Sequence, residues 1–225
     1  MYQEWRHLLF LHWRIEVAAV QSRLPSGLHV DTFDGSAWLG IVPFEMAKVR
    51  PRFLPPVPGL SDFLELNLRT YVYDDSGRPG VWFFSLDANQ SLAVLIAQKA
   101  FNLPYEQAEM SKLETAGELI YESKRRGDGT IQTFRYPDKP QAPQISRPES
   151  LEFFLLERYR LFAEKNGTIL SGQVHHEPYE ATPCDVERYS TRLFSLNGFP
   201  EPTTPPESAL IAKTVAVQIH PMSTG

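Results

Sequence analysis

The segment Glu65–Asp87, ELNLRTYVYDDSGRPGVWFFSLD, constrains the fold more than any other part of the chain. It reads as two strands joined by a tight connection. Side chains alternate along a strand, so Glu65, Asn67, Arg69 and Tyr71 share one face while Leu66, Leu68, Thr70 and Val72 share the other. A polar face made for bulk water needs only short or flexible charged residues, and the rings of Trp82, Phe83 and Phe84 on the partner strand would be poorly placed beside it. Both faces are therefore expected to be covered. The picture is a curled sheet whose outer face packs under helices and whose inner face lines a partly polar pocket.

A chain of 225 residues suits one β-rich domain spanning 1–225. A globule of this size buries roughly 70% of its unfolded surface, which is ample core without disulfides. The one cysteine, Cys184, cannot pair within the chain and sits in no activating context, so it reads as a bystander in a reducing compartment. A formal charge of −5 disfavours nucleic acid or an anionic membrane as the main partner, since both need a basic field. Lys124-Arg125-Arg126 and the spaced Lys48, Arg50 and Arg52 read as solvated edges. Near the N-terminus only Leu8–Leu11 are consecutively apolar, between His7 and His12, too short for a signal peptide or a membrane span. A cytoplasmic protein is expected, acting as a monomer or a homodimer.

Along the chain, Trp5–Trp13 reads as a first strand, with Arg6, Leu8, Phe10 and His12 on one side. Ile15–Arg23 reads as a short helix stopped by Leu24-Pro25 and Gly27. Leu28–Phe33 and Ala37–Phe44 form a hairpin turning at Asp34-Gly35, and the apolar run Ala37–Val42 is expected to be buried on both faces. Four prolines in RPRFLPPVP, Arg50–Pro58, make that segment a rim loop. Ser91–Phe101 has helical spacing and stops ahead of Pro104. Glu118–Lys124 and Gly129–Arg135 pair around Gly127-Asp128-Gly129, and Pro137–Pro148 is a proline-rich surface loop. Ser150 opens a helical turn, and Phe153–Phe162 with Thr168–Glu177 form a long hairpin at Lys165-Asn166-Gly167, where both turn residues tolerate positive φ. Cys184–Leu196 reads as a helix, Gly198–Pro206 as a loop and Ala209–His220 as a last strand.

Chemistry-bearing motifs are few. His175-His176-Glu177 invites a metal, but adjacent strand residues point to opposite faces and no spaced third ligand follows. There is no G-x-S-x-G elbow, no GxGxxG and no GxxxxGK, which disfavours an esterase-type nucleophile and nucleotide-dependent chemistry; no cofactor is expected. What remains is the set of charges inside strands. Glu65 and Arg69 lie about 13 Å apart along an extended strand, so each needs a partner from elsewhere, with Asp87, Arg6, Glu157 and Arg158 available. Two readings follow: a buried ion-pair network that holds the fold, or a pocket in which arginine binds a carboxylate and glutamate handles protons. His12, between Leu11 and Trp13, belongs to the core or to that pocket.

FLHW at Phe10–Trp13, ELNLRTYV at Glu65–Val72, PGVWFFSLDA at Pro79–Ala88, FNLPYEQA at Phe101–Ala108 and FLLERYRLF at Phe154–Phe162 resemble signature segments of the YqjF-like family of bacterial proteins. That family is similar in fold to acetoacetate decarboxylase, which implies a mainly antiparallel sheet curled into a cone-shaped barrel with a pocket inside, and a few flanking helices. Decarboxylases of that group carry two adjacent lysines after a proline, one forming a Schiff base with the substrate. Here the matching proline is Pro104, followed by Tyr105-Glu106, so the resemblance implies the fold and the pocket without the lysine pair. It also places the group's first-strand arginine at Arg6 and its pocket glutamate at Glu65.

The resulting expectation is an α+β, mainly antiparallel domain holding a pocket for a small carboxylate, carbonyl or aromatic compound. Glu65 and Tyr105 would handle protons and hydrogen bonds, with Tyr105 in the lysine's place, while Arg6, His12, Asn67, Arg69 and Asp87 would bind the ligand. Acid/base chemistry without a covalent intermediate and a purely structural role are the alternatives. Lys99 or Lys112 would have to reach the pocket for Schiff-base chemistry to survive.

Overall fold

The computed structural model describes residues 1–90 and 102–224, so the helix expected at Ser91–Phe101 lies outside the described residues. Seven strands close on one another in a ring: β1 (Tyr2–Arg6), β4 (Ala37–Arg50), β5 (Phe63–Asp74), β6 (Pro79–Ala88), β11 (Arg160–Lys165), β12 (Thr168–His175) and β15 (Val215–Ile219). Six of the seven junctions are antiparallel and one, β6 with β11, is parallel. β2 (Leu8–Ile15) pairs with the first half of β4, from Leu11↔Ile41 to Ile15↔Ala37, and β1 pairs with its second half. The remaining strands of the sheet extend outward from this ring.

Both faces of the ring are covered, as the burial of β5 on both sides requires. Inside lie Phe10, Val42, Phe44, Tyr71, Val81, Leu86 and Leu161. Outside, Leu64, Leu66 and Leu68 of β5 and Leu39 and Ile41 of β4 pack with Leu119, Tyr121, Phe134 and Tyr136. Those four belong to a meander of β7 (Tyr105–Glu114), β8 (Glu118–Arg125) and β9 (Gln132–Pro137), and helix α3 (Arg192–Leu196) adds Leu193 and Phe194. The outer cover is thus mostly sheet where helices were expected. β7 escapes sequence reading because Glu106, Glu109, Lys112 and Glu114 interrupt any apolar alternation, and its outer face is exposed.

Several element boundaries differ from expectation for local reasons. The first strand breaks at His7, whose φ of 52° ends β1 and restarts the chain as β2. β3 (Leu28–Val30) pairs with β5 and meets the β4 side only at Phe33↔Ser36, so the expected hairpin is a turn alone. α1 covers Val17–Gln21. Phe153 begins no strand: Ser150 caps α2 (Leu151–Leu156) by accepting from the Phe153 amide, and the hairpin at Asn166-Gly167 starts only at β11. Cys184–Leu196 is helical only at α3, and the last expected strand is two, β14 (Ser208–Ala212) and β15. No helix among the described residues is long and apolar enough to cross a membrane.

Close approach inside the ring depends on Gly40 of β4. A methyl group there would lie 2.8 Å from His12 Cδ2 and 2.9 Å from Nε2, the ring that holds Tyr71. Overpacking of this kind costs about 1–3 kcal/mol. Gly40→Ala is expected to lower unfolding stability in urea by that amount, whereas Gly129→Ala, with nothing within 4 Å, should leave it within about 0.5 kcal/mol.

Candidate functional site

β5 carries Glu65, Asn67 and Arg69 into the ring, where they line a cavity of about 70 Å³. That is room for roughly two water molecules at their share of liquid volume, or for a ligand of a few non-hydrogen atoms. The rest of the wall is mostly apolar, with Phe10, Val42, Phe44, Val81, Leu86 and Leu161 among its residues. Tyr105, the first residue of β7 and the successor of Pro104, reaches the same cavity because β7 runs parallel to the end of β6 at Leu86↔Tyr105.

Glu65 is 1% exposed and has its carboxylate held by two donors. Tyr105 Oη donates to Oε2 at 2.7 Å and Asn67 Nδ2 donates to Oε1 at 3.2 Å. Behind it, Tyr121 Oη donates to the Glu65 carbonyl at 2.8 Å and pins the backbone to the outer layer. Burial raises the Glu65 carboxyl to about 7, outweighing the opposing hydrogen bonds from Tyr105 and Asn67, with the Asp87 charge adding to the rise. Burial and the adjacent Glu65 charge push the Tyr105 phenol well above its ordinary value, so it remains a donor.

Arg69 is the second pole of the cavity. It is 8% exposed and makes no ion pair among the described residues. Its Nη2 donates to the Leu155 carbonyl near the C-terminal end of α2 at 3.0 Å and to Tyr71 Oη at 3.3 Å, and its guanidinium lies 5.2 Å from the Phe10 ring centre. Tyr71 Oη itself donates to Leu155 O at 2.8 Å, so it must accept from His12 Nε2, 2.7 Å away. This makes His12 a neutral donor in the Nε2–H form, and burial followed by the Arg69 charge holds its pKa well below the usual imidazole range. Arg158 also lines the cavity, but its charge is met by Asp31 at 2.7 Å.

The structure therefore brings Glu65, Asn67, Arg69 and Tyr105 together and separates the others. His12 sits one layer back, holding Tyr71. Arg6 is outside the cavity, paired with Glu4 at 2.6 Å and near Glu45, because the break at His7 decouples its face from that of His12. Asp87 faces the opposite side, where Arg125 holds it at 2.6 Å. Its reversal follows from a bulge: Leu68 pairs with Ser85 but Arg69 with Phe83, so the extra residue Phe84 turns Leu86 inward and Asp87 outward. Lys112 is bound to Glu45 and Glu114 on the outside, and Lys99 lies outside the described residues. Among the described residues no lysine lines the cavity and no group of three or more metal-ligating side chains gathers. Sequence reasoning passed over Trp5 and Tyr179 as wall residues and treated Arg158 only as an ion-pair partner.

A carboxyl raised on folding destabilises the native state as it ionises in the unfolded chain. For Glu65 the term is absent below about pH 4.5, grows as pH rises to about 7, and is constant above, with a size of about 3 kcal/mol. The stability difference between Glu65→Gln and wild type should therefore shift in favour of the variant across pH 4.5–7 in urea titrations. A difference independent of pH would refute the assignment.

Residues 2–216 match the family DUF2071, described as an uncharacterized conserved protein. The uncharacterized protein YqjF of Bacillus subtilis (strain 168) is 37% identical over 207 residues, 92% of this chain and 85% of that one. Among solved structures, acetoacetate decarboxylase of Legionella pneumophila superposes with a TM-score of 0.63 at 11% identity, over 100% of this chain and 89% of that one. The enduracididine biosynthesis enzyme MppR superposes with a TM-score of 0.67 at 12% identity, over 99% and 88%. An acetoacetate decarboxylase-like enzyme of Sphingomonas wittichii RW1 gives 0.64 at 14% identity, over 99% and 91%. At these identities the superpositions establish a shared fold. By the extent of the family match and the identity to YqjF, this chain belongs to the DUF2071 family, folded as acetoacetate decarboxylase is.

Proposed function

We propose that the ring is a binding pocket for a small carboxylate or carbonyl compound, with Arg69 as the anion-binding group and Glu65–Tyr105 as the proton-handling pair. The observation that carries this reading is Arg69: a buried guanidinium lining the cavity and in no ion pair among the described residues. An uncompensated buried charge costs several kcal/mol, and a bound carboxylate supplies what the protein leaves out. The solved MppR complex with pyruvate is in keeping with a small acid in a ring of this fold. No lysine reaches the cavity from the described residues, so the chemistry this site favours is non-covalent. A carboxyl near neutrality, beside a phenol donor, is placed to exchange a proton with a bound carbonyl compound.

The competing reading is structural. Arg69 ties β5 to the end of α2 through Leu155, a contact that holds the fold with or without a ligand.

Thermal unfolding in the presence of small carboxylates, ketones and aromatic compounds separates the two. A carboxylate at a hundredfold its Kd adds about 2.7 kcal/mol, which raises the melting temperature by roughly 5–10 °C in a chain of this size. The shift is expected in wild type, absent in Arg69→Met, and weaker as pH rises through 7, where Glu65 becomes an anion. In Glu65→Gln the pH dependence should vanish. No shift with any class, together with strong destabilisation of both variants, would leave the structural reading standing.

A further inference from the structure

Three residues of the cavity wall hold a buried polar atom with no partner, Trp5 Nε1, Asn67 Oδ1 and Arg69 Nε, and the two on β5 are of opposite kind. Asn67, 3% exposed, spends its Nδ2 on Glu65 Oε1 and leaves Oδ1, which can only accept, unmatched. Arg69 uses Nη2 on Leu155 and Tyr71 and leaves Nε, which can only donate, unmatched. Both side chains line the same cavity, two residues apart on one face of β5. Leaving such atoms unpaired costs about 1–3 kcal/mol each, so the complementary ligand is the one that satisfies both. The Glu65 oxygens, in contrast, are already engaged by Tyr105 and Asn67.

We infer that the preferred ligand is a short carboxylate bearing its own hydrogen-bond donor, a hydroxy acid or an amino acid, with the carboxylate on Arg69 and the hydroxyl or amino group on Asn67 Oδ1. This rests on the anion-pocket reading above and narrows it. An oxo acid of the same length presents a second acceptor to Asn67 Oδ1 and leaves that atom unpaired. An unsubstituted acid leaves it unpaired as well. A site built around a ligand donor discriminates against analogues that lack it, because the cost falls on the protein atom left behind. The cavity volume and its apolar walls set the length at a few non-hydrogen atoms.

The test is isothermal titration of the wild-type chain, at pH 6, with four three-carbon acids: lactate in each enantiomer, alanine, pyruvate and propionate. Lactate or alanine is expected to bind about tenfold more tightly than pyruvate and propionate. In folded Asn67→Leu that preference should disappear, the acids with and without a donor binding alike. Equal or tighter binding of pyruvate or propionate by wild type overturns the donor assignment and leaves the anion pocket intact. A donor preference that survives in folded Asn67→Leu overturns the role of Asn67. Absence of binding by all four acids overturns the pocket reading and this inference with it. If Asn67→Leu does not fold, the wild-type ranking alone decides.

Discussion

Closure of the seven-strand ring is the constraint on which the rest of the molecule depends. Once β1, β4, β5, β6, β11, β12 and β15 pair in a circle, no strand of the ring has a face left for bulk water at its centre. β5 is buried at every position from Phe63 to Val72. Any polar side chain on it must then find a partner within the protein or within the cavity it encloses. Leu64, Leu66 and Leu68 meet this condition by packing under the β7–β9 meander. Glu65, Asn67 and Arg69 meet it only in part.

Within the ring, the distinctive feature is a buried arginine without an ion-pair partner among the described residues. Three other buried or half-buried charges have an opposite charge beside them: Asp87 has Arg125, although its Oδ2 is unmatched, Arg158 has Asp31 and Asp74 has Arg78. Inside the ring the two poles are treated differently. Glu65 receives donors that stabilise its ionised form, yet burial outweighs them and keeps it a carboxyl that changes charge near neutrality. Arg69 receives neutral acceptors only, and its orientation is inherited from a chain of contacts, His12 to Tyr71 to Leu155, whose geometry depends on the absence of a side chain at Gly40. The lack of an ion-pair partner for Arg69 among the described residues is the feature on which the anion-pocket proposal rests.

Two small backbone irregularities decide who takes part. The positive φ at His7 removes Arg6 from the interior, and the bulge at Phe84 exchanges the faces of Leu86 and Asp87. Each alters the inventory of the cavity by a charged residue without changing the path of the sheet. Pro104 and the parallel approach of β7 add Tyr105 from a different layer altogether.

The alternation in Glu65–Val72 determined, from sequence alone, that β5 is buried on both sides and that Glu65, Asn67 and Arg69 look the same way; a two-residue period needs no tertiary information. The same holds for the doubly buried run at Ala37–Val42, the exposed proline loop after Arg50 and the turn at Asn166-Gly167, where the signal is local. The family resemblance carried the ring and the place of Tyr105. The tertiary structure alone decided that β3 pairs with β5, that a charged strand, β7, forms part of the outer cover, and that His12 supports Tyr71 instead of touching the cavity. It also decided the exclusion of Arg6 and Asp87, because a parity argument carries only as far as the first residue that breaks the pleat. A bulge or a left-handed residue is set by the packing of both neighbouring strands, and that balance of contacts is not written in the order of residues along either one.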